Sequence, residues 1–271
     1  MIQAVFIDID GTLINSQKNI SENTKNVIKR CIEKNIKIIL ASGRSRNDTL
    51  KYQSEIKSSP YIISSNGADS YDIEEKKEIC SEPIPKKVAN KLLLYAQKHN
   101  CKINLNYDDK VVMNISFYPD EKDKERTNEE LMEIILKEKI VQCVILSREL
   151  EKIKEFKTYL QKEIPEVKIE NQSKRLSNPE SKPSSSYYCD ITSSRVSKGN
   201  AVEQVCEYLN VKKENIVVIG DGENDITMFE KTSNSVAMGN ATEKVKRRAN
   251  YITDTNDEEG VANFLERILK E

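Results

Sequence analysis

The sequence predicts an α/β fold: a doubly wound parallel sheet into which a second, α+β domain is inserted. Three observations indicate this fold. Short apolar runs alternate with helical patterns over residues 1–80 and again towards the end of the chain. The stretch between these regions has a different order of strands and helices. Polar motifs stand where apolar runs end, which is where open α/β sheets bind their ligands.

In the first region, predicted strands and helices alternate. The elements are a strand at 2–9, a helix near 21–35, a strand at 36–41, a helix near 46–57 and a strand at 61–65, followed by an Asn66-Gly67 turn. Residues 4–7 are apolar on both faces, as in a buried parallel strand. This βαβαβ order argues for a parallel sheet with right-handed crossovers.

From residue 82 the pattern becomes that of an α+β module. Its predicted elements are a helix at 85–99, strands at 101–107 and 111–117, a charged helix, a strand at 141–146, a helix at 151–163 and a strand near 167–170. Residues 171–186, rich in Ser, Pro and Asn, indicate a loop or return linker.

The alternating pattern then resumes. It comprises a helix at 200–209, a strand at 216–220, a short helix from 225, a strand at 235–238, a helix near 242–249, a strand at 251–253 and a helix at 257–269. The prediction is a discontinuous core of residues 1–81 plus 187–271, with an inserted domain of residues 82–186. A length of 271 residues agrees with two domains.

Composition limits the chemistry that the chain can perform. His99 is the single histidine, so catalytic dyads, zinc sites and haem pockets would have to use it alone. Its place at a polar helix end favours a solvated side chain. The six cysteines include no C-x-x-C pair, which argues against a zinc or redox motif. We expect reduced thiols, most of them in the core.

The charge balance limits the partners. A net charge of −1, from 43 basic and 44 acidic residues, argues against a nucleic-acid binder. No signal peptide or apolar run of membrane-spanning length is found, so we expect a cytoplasmic protein with no membrane partner. We expect it to be a monomer or a weak homodimer.

Four polar motifs stand at predicted strand ends or helix starts. They are Asp8-Ile9-Asp10-Gly11-Thr12, Ala41-Ser42-Gly43-Arg44, Ser197-Lys198-Gly199 and Gly220-Asp221-Gly222-Glu223-Asn224-Asp225. The second and third motifs are weak signals when taken alone. The last is strong, because structural loops seldom need so many acidic residues at a strand end. Together the four motifs resemble the haloacid dehalogenase superfamily, and within it the Cof-type phosphatases.

The place of the insertion agrees with this resemblance. Residues 14–20 alone separate the aspartate pair from the next helix, which leaves no room for a domain there. The insertion follows the third strand, which resembles the C2 cap of the Cof-type (class IIB) enzymes and argues against the helical-cap dehalogenases. The resemblance covers essentially the whole chain and implies a Rossmann-like core with an α+β cap.

The resemblance implies phosphoryl transfer through an aspartyl-phosphate. A phosphate dianion repels an attacking carboxylate, so positive charge must be supplied, and Mg²⁺ with oxygen ligands is suited to this task. By this resemblance Asp8 is the nucleophile and also binds the metal. Asp10 binds the metal through its backbone carbonyl, and its side chain is the general acid and base. Asp221 is the second metal carboxylate.

The remaining residues of the motifs are expected around the phosphoryl group. The residues that the resemblance assigns to phosphate binding are Gly11, Thr12, Ser42, Gly43, Arg44, Lys198 and Asn224. Among them Ser42 donates a hydrogen bond and Lys198 neutralises charge, so both count as catalytic. Arg44 contacts either the substrate phosphate or solvent, and Asn224 either the phosphate or the water shell of the metal. Asp225 is expected to orient Lys198 or the metal waters.

These expectations describe a Mg²⁺-dependent phosphatase that hydrolyses small phosphorylated metabolites, such as sugar phosphates. The inserted domain is large enough to close over a site and exclude bulky substrates. Two alternatives stay open: a phosphomutase or dedicated glycosyl-phosphate phosphatase with the same motifs, and a catalytically idle sensor of phosphorylated ligands. The Asn66-Gly67 turn is left out of the predicted catalytic set.

Overall fold

The secondary structure follows the predicted alternation. In this computed structural model residues 1–117, 119–175 and 186–270 are described. Their strands are β1 Ala4–Ile7, β2 Lys37–Ala41, β3 Tyr61–Ser64, β4 Asp69–Asp72, β5 Lys77–Ser81, β6 Lys102–Tyr107, β7 Lys110–Met113, β8 Gln142–Ser147, β9 Val167–Arg175, β10 Ser186–Ser193, β11 Ile216–Gly220, β12 Ser235–Ala237 and β13 Tyr251–Ile252. Their α-helices are α1 Glu22–Glu33, α2 Arg46–Ile56, α3 Lys86–Lys98, α4 Asn128–Lys137, α5 Leu150–Glu163, α6 Lys198–Leu209, α7 Ile226–Phe229, α8 Glu243–Lys246 and α9 Gly260–Lys270.

One unit comprises Met1–Ser81 and Val196–Glu271. Its sheet has the strand order β13-β12-β11-β1-β2-β3-β4-β5. The pairings from β13 to β3 are parallel, whereas β3, β4 and β5 pair antiparallel. The predicted α/β fold with a doubly wound parallel sheet is confirmed.

The alternation of side chains along β1 explains the two apolar layers of this unit. Val5 and Ile7 belong to a buried cluster with residues of α1 and α9, whereas Ala4 and Phe6 belong to a second cluster with residues of α6 and α7. All four residues of β1 are buried, which is why this strand is a continuous apolar run instead of an alternating one. The charged motifs therefore stand at the end of a strand that is covered on both faces.

The other unit is Glu82–Arg195. Its antiparallel sheet has the order β7-β6-β8-β10-β9. Ile103 and Leu105 of β6 share one buried cluster with residues of α3, α4 and α5. The residues that alternate with them, Lys102 and Asn104, extend from the opposite face of the sheet because successive strand residues alternate.

The structure differs from the prediction at three places. The unit boundary lies between Arg195 and Val196, later than the predicted return at residue 187, because β10 pairs with both β8 and β9. The predicted linker at 171–186 overlaps β9, which ends at Arg175, and its residues 176–185 lie outside the described residues. Strands β4 and β5 were not predicted, because β4 (DSYD) lacks an apolar run.

Two predictions about single residue types can be compared with the structure. His99 follows α3 and stacks on Tyr95, with 4.1 Å between the ring centroids, so its ring is half-buried and not fully solvated. The six cysteines are free thiols, and all but Cys80 are buried.

No helix in the described ranges combines the length and the apolar character that crossing a membrane requires.

Candidate active site

Three of the predicted motifs meet at one edge of the eight-stranded sheet. Asp8 follows β1, Ser42 follows β2 and Asp221 follows β11. In the sheet β1 lies between β11 and β2, and all three strands are parallel, so their carboxyl ends lie side by side. This edge is where a doubly wound sheet presents its ligand site.

The fourth motif reaches this edge through the start of α6. Ser197 is the N-cap, and its side chain accepts a hydrogen bond from the backbone N–H of Asn200. The Lys198 side chain is fully buried, and its Nζ donates to Asp8 Oδ1 and to Asp225 Oδ1, each at 2.6 Å. Burial lowers the pKa of Lys198, but the carboxylates of Asp225 and Asp8 outweigh burial and hold the pKa above its ordinary value. The ammonium group is therefore charged.

The carboxylates at this edge outnumber the cation. Burial raises the pKa of Asp8, Lys198 lowers it in part, and the charges of Asp225 and Asp221 raise it further, so the net pKa lies well above the ordinary value. Burial and the charge of Asp225 raise the pKa of Asp221 to about 6. Three acids thus surround one ammonium, and burial together with the charge of the neighbouring carboxylates raises both pKa values.

Asp225 holds this arrangement together from a fully buried position. Its Oδ1 accepts from Lys198, while its Oδ2 accepts from the backbone N–H groups of Asp221 and Gly222 at 3.0 and 2.8 Å. Both carboxylate oxygens are therefore occupied. Asp225 orients Lys198 and the loop that carries Asp221, and it has little capacity left for a further ligand.

Gly11 and Thr12 both lie against Asp221. Gly11 has a φ of +81°, and a Cβ at this position would lie 2.4 Å from Asp221 Oδ2, so no other residue fits here without displacing the carboxylate. The Thr12 hydroxyl donates to Asp221 Oδ1 at 2.9 Å. Both residues were predicted around the phosphoryl group. In the structure the hydroxyl of Thr12 orients a carboxylate, and the contact of both residues with the phosphoryl group stays a prediction.

Arg44 is partly exposed, and its side chain also forms a bidentate pair that was not predicted, with Asp10. Its Nε and Nη2 donate to the two carboxylate oxygens of Asp10, each at 2.7 Å, and Lys18 Nζ lies 3.6 Å from the same carboxylate. Burial raises the pKa of Asp10, but the hydrogen bonds and charge of Arg44 outweigh burial, so the pKa is lowered. Asp10 is therefore ionised in this arrangement, and it can accept a proton but has none to donate.

Asn66, which was not among the predicted site residues, lies between three residues that were: Ser42, Gly43 and Asn224. Ser42 is buried, and its Oγ accepts from the backbone N–H of Arg44 at 3.2 Å. Asn224 Nδ2 donates to Asn66 Oδ1 at 2.9 Å. Asn66 follows β3 at the same edge of the sheet. The signal that could have identified it is positional: an Asn-Gly pair directly after a parallel strand lies where ligands bind.

The acidic cluster suits a hard divalent cation. Asp8, Asp221 and Asp225 each offer a carboxylate oxygen within 4.8 Å of the others. Because both oxygens of Asp225 accept N–H donors, Asp8 and Asp221 are the better candidate ligands. Mg²⁺ binds through one or two carboxylates while keeping several waters, and its charge would offset the excess of carboxylates.

Comparison with known proteins agrees with this geometry. The haloacid dehalogenase-like hydrolase family matches residues 5–265. A phosphatase of Bacillus subtilis, YwpJ, is 26% identical, and the match covers 99% of this chain and 100% of the relative. The 5-amino-6-(5-phospho-D-ribitylamino)uracil phosphatase YcsE of the same organism is 28% identical, with coverage of 97% and 94%.

Solved structures show the same fold over the whole length. A haloacid dehalogenase-like hydrolase from Bacteroides thetaiotaomicron is 28% identical, with a TM-score of 0.83 and coverage of 99% of this chain and 100% of that one. A protein from Thermotoga maritima is 31% identical, with a TM-score of 0.80 and coverage of 98% and 97%. The chain therefore belongs to the haloacid dehalogenase-like hydrolases and is a phosphatase of their Cof-type branch.

Proposed function

We propose that the protein is a Mg²⁺-dependent phosphomonoesterase that acts on small phosphorylated metabolites through an aspartyl-phosphate. The observation that carries this proposal is the buried Lys198 ammonium group, 2.6 Å from both Asp8 and Asp225. A carboxylate that attacks a phosphate dianion needs positive charge on both reacting groups. Lys198 supplies part of that charge from a fixed position, without a reorganisation of solvent.

Asp8 is the nucleophile in this proposal. Its Oδ1 accepts from Lys198, and no donor in the described part of the chain contacts its other oxygen. That oxygen attacks phosphorus, the new O–P bond forms as the ester O–P bond breaks, and the leaving alkoxide takes a proton from Asp10. Water then attacks the same phosphorus, Asp10 accepts the proton from that water, and the carboxylate of Asp8 leaves.

The metal would be held by Asp8, Asp221 and the backbone carbonyl of Asp10. When bound, Mg²⁺ supplies charge neutralisation between the two approaching anions. The Thr12 hydroxyl orients Asp221 for this role, because it fixes one of the two carboxylate oxygens. Asp225 acts indirectly by holding Lys198 and the loop of Asp221.

The pairing of Arg44 with Asp10 controls whether the Asp10 carboxylate can be protonated. The bidentate pair favours the ionised form of Asp10, which suits the base but not the acid. A phosphate dianion is an alternative partner for the guanidinium group, which binds phosphate in the same bidentate manner. Arrival of substrate would release Asp10 and allow its protonation.

The proposed substrates are phosphate esters of sugars or sugar alcohols. Two Bacillus subtilis relatives, each 28% identical, are 5-amino-6-(5-phospho-D-ribitylamino)uracil phosphatases, and that substrate carries its phosphate on a ribityl chain. The near-neutral charge balance supports a small-molecule partner and not a nucleic acid.

The test is hydrolysis of p-nitrophenyl phosphate and of a panel of sugar and sugar-alcohol phosphates, with Mg²⁺ and with excess EDTA. We expect Mg²⁺-dependent turnover and a phosphoenzyme that can be trapped by rapid acid quenching. Asp72→Asn is a matched control, since Asp72 is also buried but accepts from Tyr208 and from the backbone of Glu75, outside the acidic cluster. Phosphate binding without turnover of any ester would favour the idle sensor, and full activity in EDTA would contradict the metal requirement.

A further inference from the structure

The turn after β3 has a strained backbone that is fixed to the Ser42 loop. Ser65 and Asn66 have φ values of 51° and 60°, a left-handed conformation that is uncommon for one non-glycine residue and more so for two in succession. The backbone N–H of Ser65 donates to the carbonyl of Arg44, and that of Asn66 to the carbonyl of Ser42. Strain of this kind is found where a side chain must be held in one place.

The Asn66 side chain is buried and only half satisfied. Asn66 is 2% exposed, and its Oδ1 accepts from Asn224 Nδ2. Its own Nδ2 is buried and has no hydrogen-bond partner among the described residues. Buried amide groups are nearly always paired, because an unpaired donor loses its hydration without compensation. A missing acceptor at this point indicates a group that the protein binds.

The surroundings of Asn66 locate that acceptor. A Cβ on Gly43 would lie 2.9 Å from Asn66 Oδ1 and 3.2 Å from its Nδ2, so the glycine leaves space for the carboxamide beside the Ser42 loop. A Cβ on Gly67 would lie 2.4 Å from the carbonyl oxygen of Ser197, the residue before Lys198. The carboxamide therefore lies where the segments of Ser42, Lys198 and Asn224 meet.

We propose that Asn66 is a substrate-contacting residue whose Nδ2 donates a hydrogen bond to an oxygen of the phosphoryl group. An N–H donor cannot ligate a metal ion, so its partner must carry lone pairs, and the phosphoryl oxygens are the acceptors that this site is built to receive. The Asn66 Oδ1 meanwhile orients Asn224. This inference rests on the proposed phosphatase function.

The test is inhibition by inorganic phosphate, measured against p-nitrophenyl phosphate hydrolysis in saturating Mg²⁺. Asn66→Gly removes the carboxamide but tolerates the positive φ. We expect phosphate to bind about 10- to 100-fold more weakly, with a similar loss in kcat/KM, as for a hydrogen bond to a charged group. Asn35→Gly is the matched control, because Asn35 has a φ of 61° and is exposed on the protein surface. It should leave both constants unchanged.

A double-mutant cycle with Asn224→Ala separates direct contact from positioning. If Asn66 donates to the phosphoryl group itself, Asn66→Gly still weakens phosphate binding when Asn224 is already alanine. If the effect disappears in that background, Asn66 acts only through Asn224 and the proposal is wrong. An unchanged inhibition constant in the single variant also overturns it. Asn66→Asp, which retains the acceptor and tolerates the same φ, is the second variant if the glycine protein does not fold.

Measurements on the wild-type protein distinguish a failure of the proposed phosphatase function from a failure of the proposed role of Asn66. Absence of both ester hydrolysis and phosphate binding in the wild type would contradict the phosphatase function itself. Wild-type activity together with an unaffected Asn66→Gly variant would contradict only the role of Asn66. The melting temperatures of all variants are measured in parallel, so that a loss of folding is not mistaken for a loss of contact.

Discussion

Two clusters of buried charge in the same unit differ in how they are balanced. In the first, Arg46 Nε and Nη2 donate to the two oxygens of Asp69 at 2.8 and 2.5 Å, the Ser64 hydroxyl donates to the same carboxylate, and the guanidinium group lies over the ring of Tyr71. In the second, the Lys198 ammonium group faces the carboxylates of Asp8, Asp225 and Asp221.

The balance of charge distinguishes a structural pair from a reactive site. One acid with one base, joined by two hydrogen bonds, leaves no excess charge that a further ligand would neutralise. Three acids around one base leave negative charge uncompensated, and this charge adds to the effect of burial in raising the pKa of Asp221 and Asp8. A buried group with a strongly shifted pKa at the end of a strand indicates function. The comparison predicts different consequences of mutation in the two clusters.

The largest expected effect is the loss of activity in Asp8→Asn. The amide is a poor nucleophile and no neighbouring carboxylate can replace it, so we expect kcat to fall by roughly 10⁴-fold or more. The melting temperature should not fall, because one of three mutually repelling carboxylates is removed. Steady-state hydrolysis and thermal unfolding test this pair of expectations. Turnover within about tenfold of wild type in the folded variant would rule out Asp8 as the nucleophile.

Asp10 belongs to neither cluster, and its substitution tests a different step. With p-nitrophenyl phosphate the leaving group needs little protonation, so Asp10→Asn should still form the aspartyl-phosphate at a comparatively preserved rate. Breakdown of the intermediate requires the base and should slow by roughly 10²–10⁴-fold. Stopped-flow absorbance should then show a burst followed by a slow steady state. Equal losses for alkyl and aryl esters without a burst would mean that Asp10 transfers no proton.

Substitution in the Arg46–Asp69 pair should lower stability and largely preserve activity, which is the opposite of what we expect for Asp8→Asn. Asp69→Ala leaves the Arg46 guanidinium group buried without its carboxylate, and the expected loss in unfolding free energy is about 3–5 kcal/mol. Chemical denaturation measures it, and kcat/KM of the folded fraction should stay within about tenfold of wild type. Replacing both residues together, as in Arg46→Met with Asp69→Leu, should cost less stability than Asp69→Ala. If the double variant is less stable than Asp69→Ala, the pair is more than a balanced structural contact.

The two clusters were not equally predictable from the sequence. Asp8, Asp221 and Asp225 follow apolar strands, so the ends of those strands could be identified and their meeting at one edge inferred from the parallel order. Asp69 lies in β4, whose sequence DSYD has no strand signal, and its partner Arg46 is 23 residues away in the chain. The ion pair depends on an antiparallel return that only the folded sheet reveals.

The same limit applies to individual site residues. Side-chain identity predicted that Arg44 would contact a phosphate or solvent, but it could not indicate the bidentate pair with Asp10, which depends on the distance between two loops. Asn66 was set aside because an Asn-Gly pair is the common sequence of a turn. What the sequence does not contain is the burial of its side chain and the absence of an acceptor in the described residues.

The smallest expected effect is on the pH dependence of stability. Burial raises the pKa of Asp221 from its ordinary 3.8 to about 6. Between these values the unfolded chain has lost a proton that the folded chain still binds, so the stability of the folded state falls as the pH rises. Bound Mg²⁺ favours the ionised carboxylate and should remove this fall. In EDTA we therefore expect the melting temperature to decrease by a few degrees between about pH 4 and pH 6, and in Mg²⁺ to change less.

Asp221→Asn provides the control for this expectation, because an amide does not titrate. In EDTA its melting temperature should decrease less over the same range of pH, and Mg²⁺ should stabilise it only weakly. Differential scanning fluorimetry of both proteins at several pH values measures the difference. The same decrease in the variant as in the wild type would mean that the fall in stability originates outside Asp221. Asp8, whose pKa burial raises to about 8, would then account for the fall, because by the same reasoning its titration also lowers stability over this range of pH.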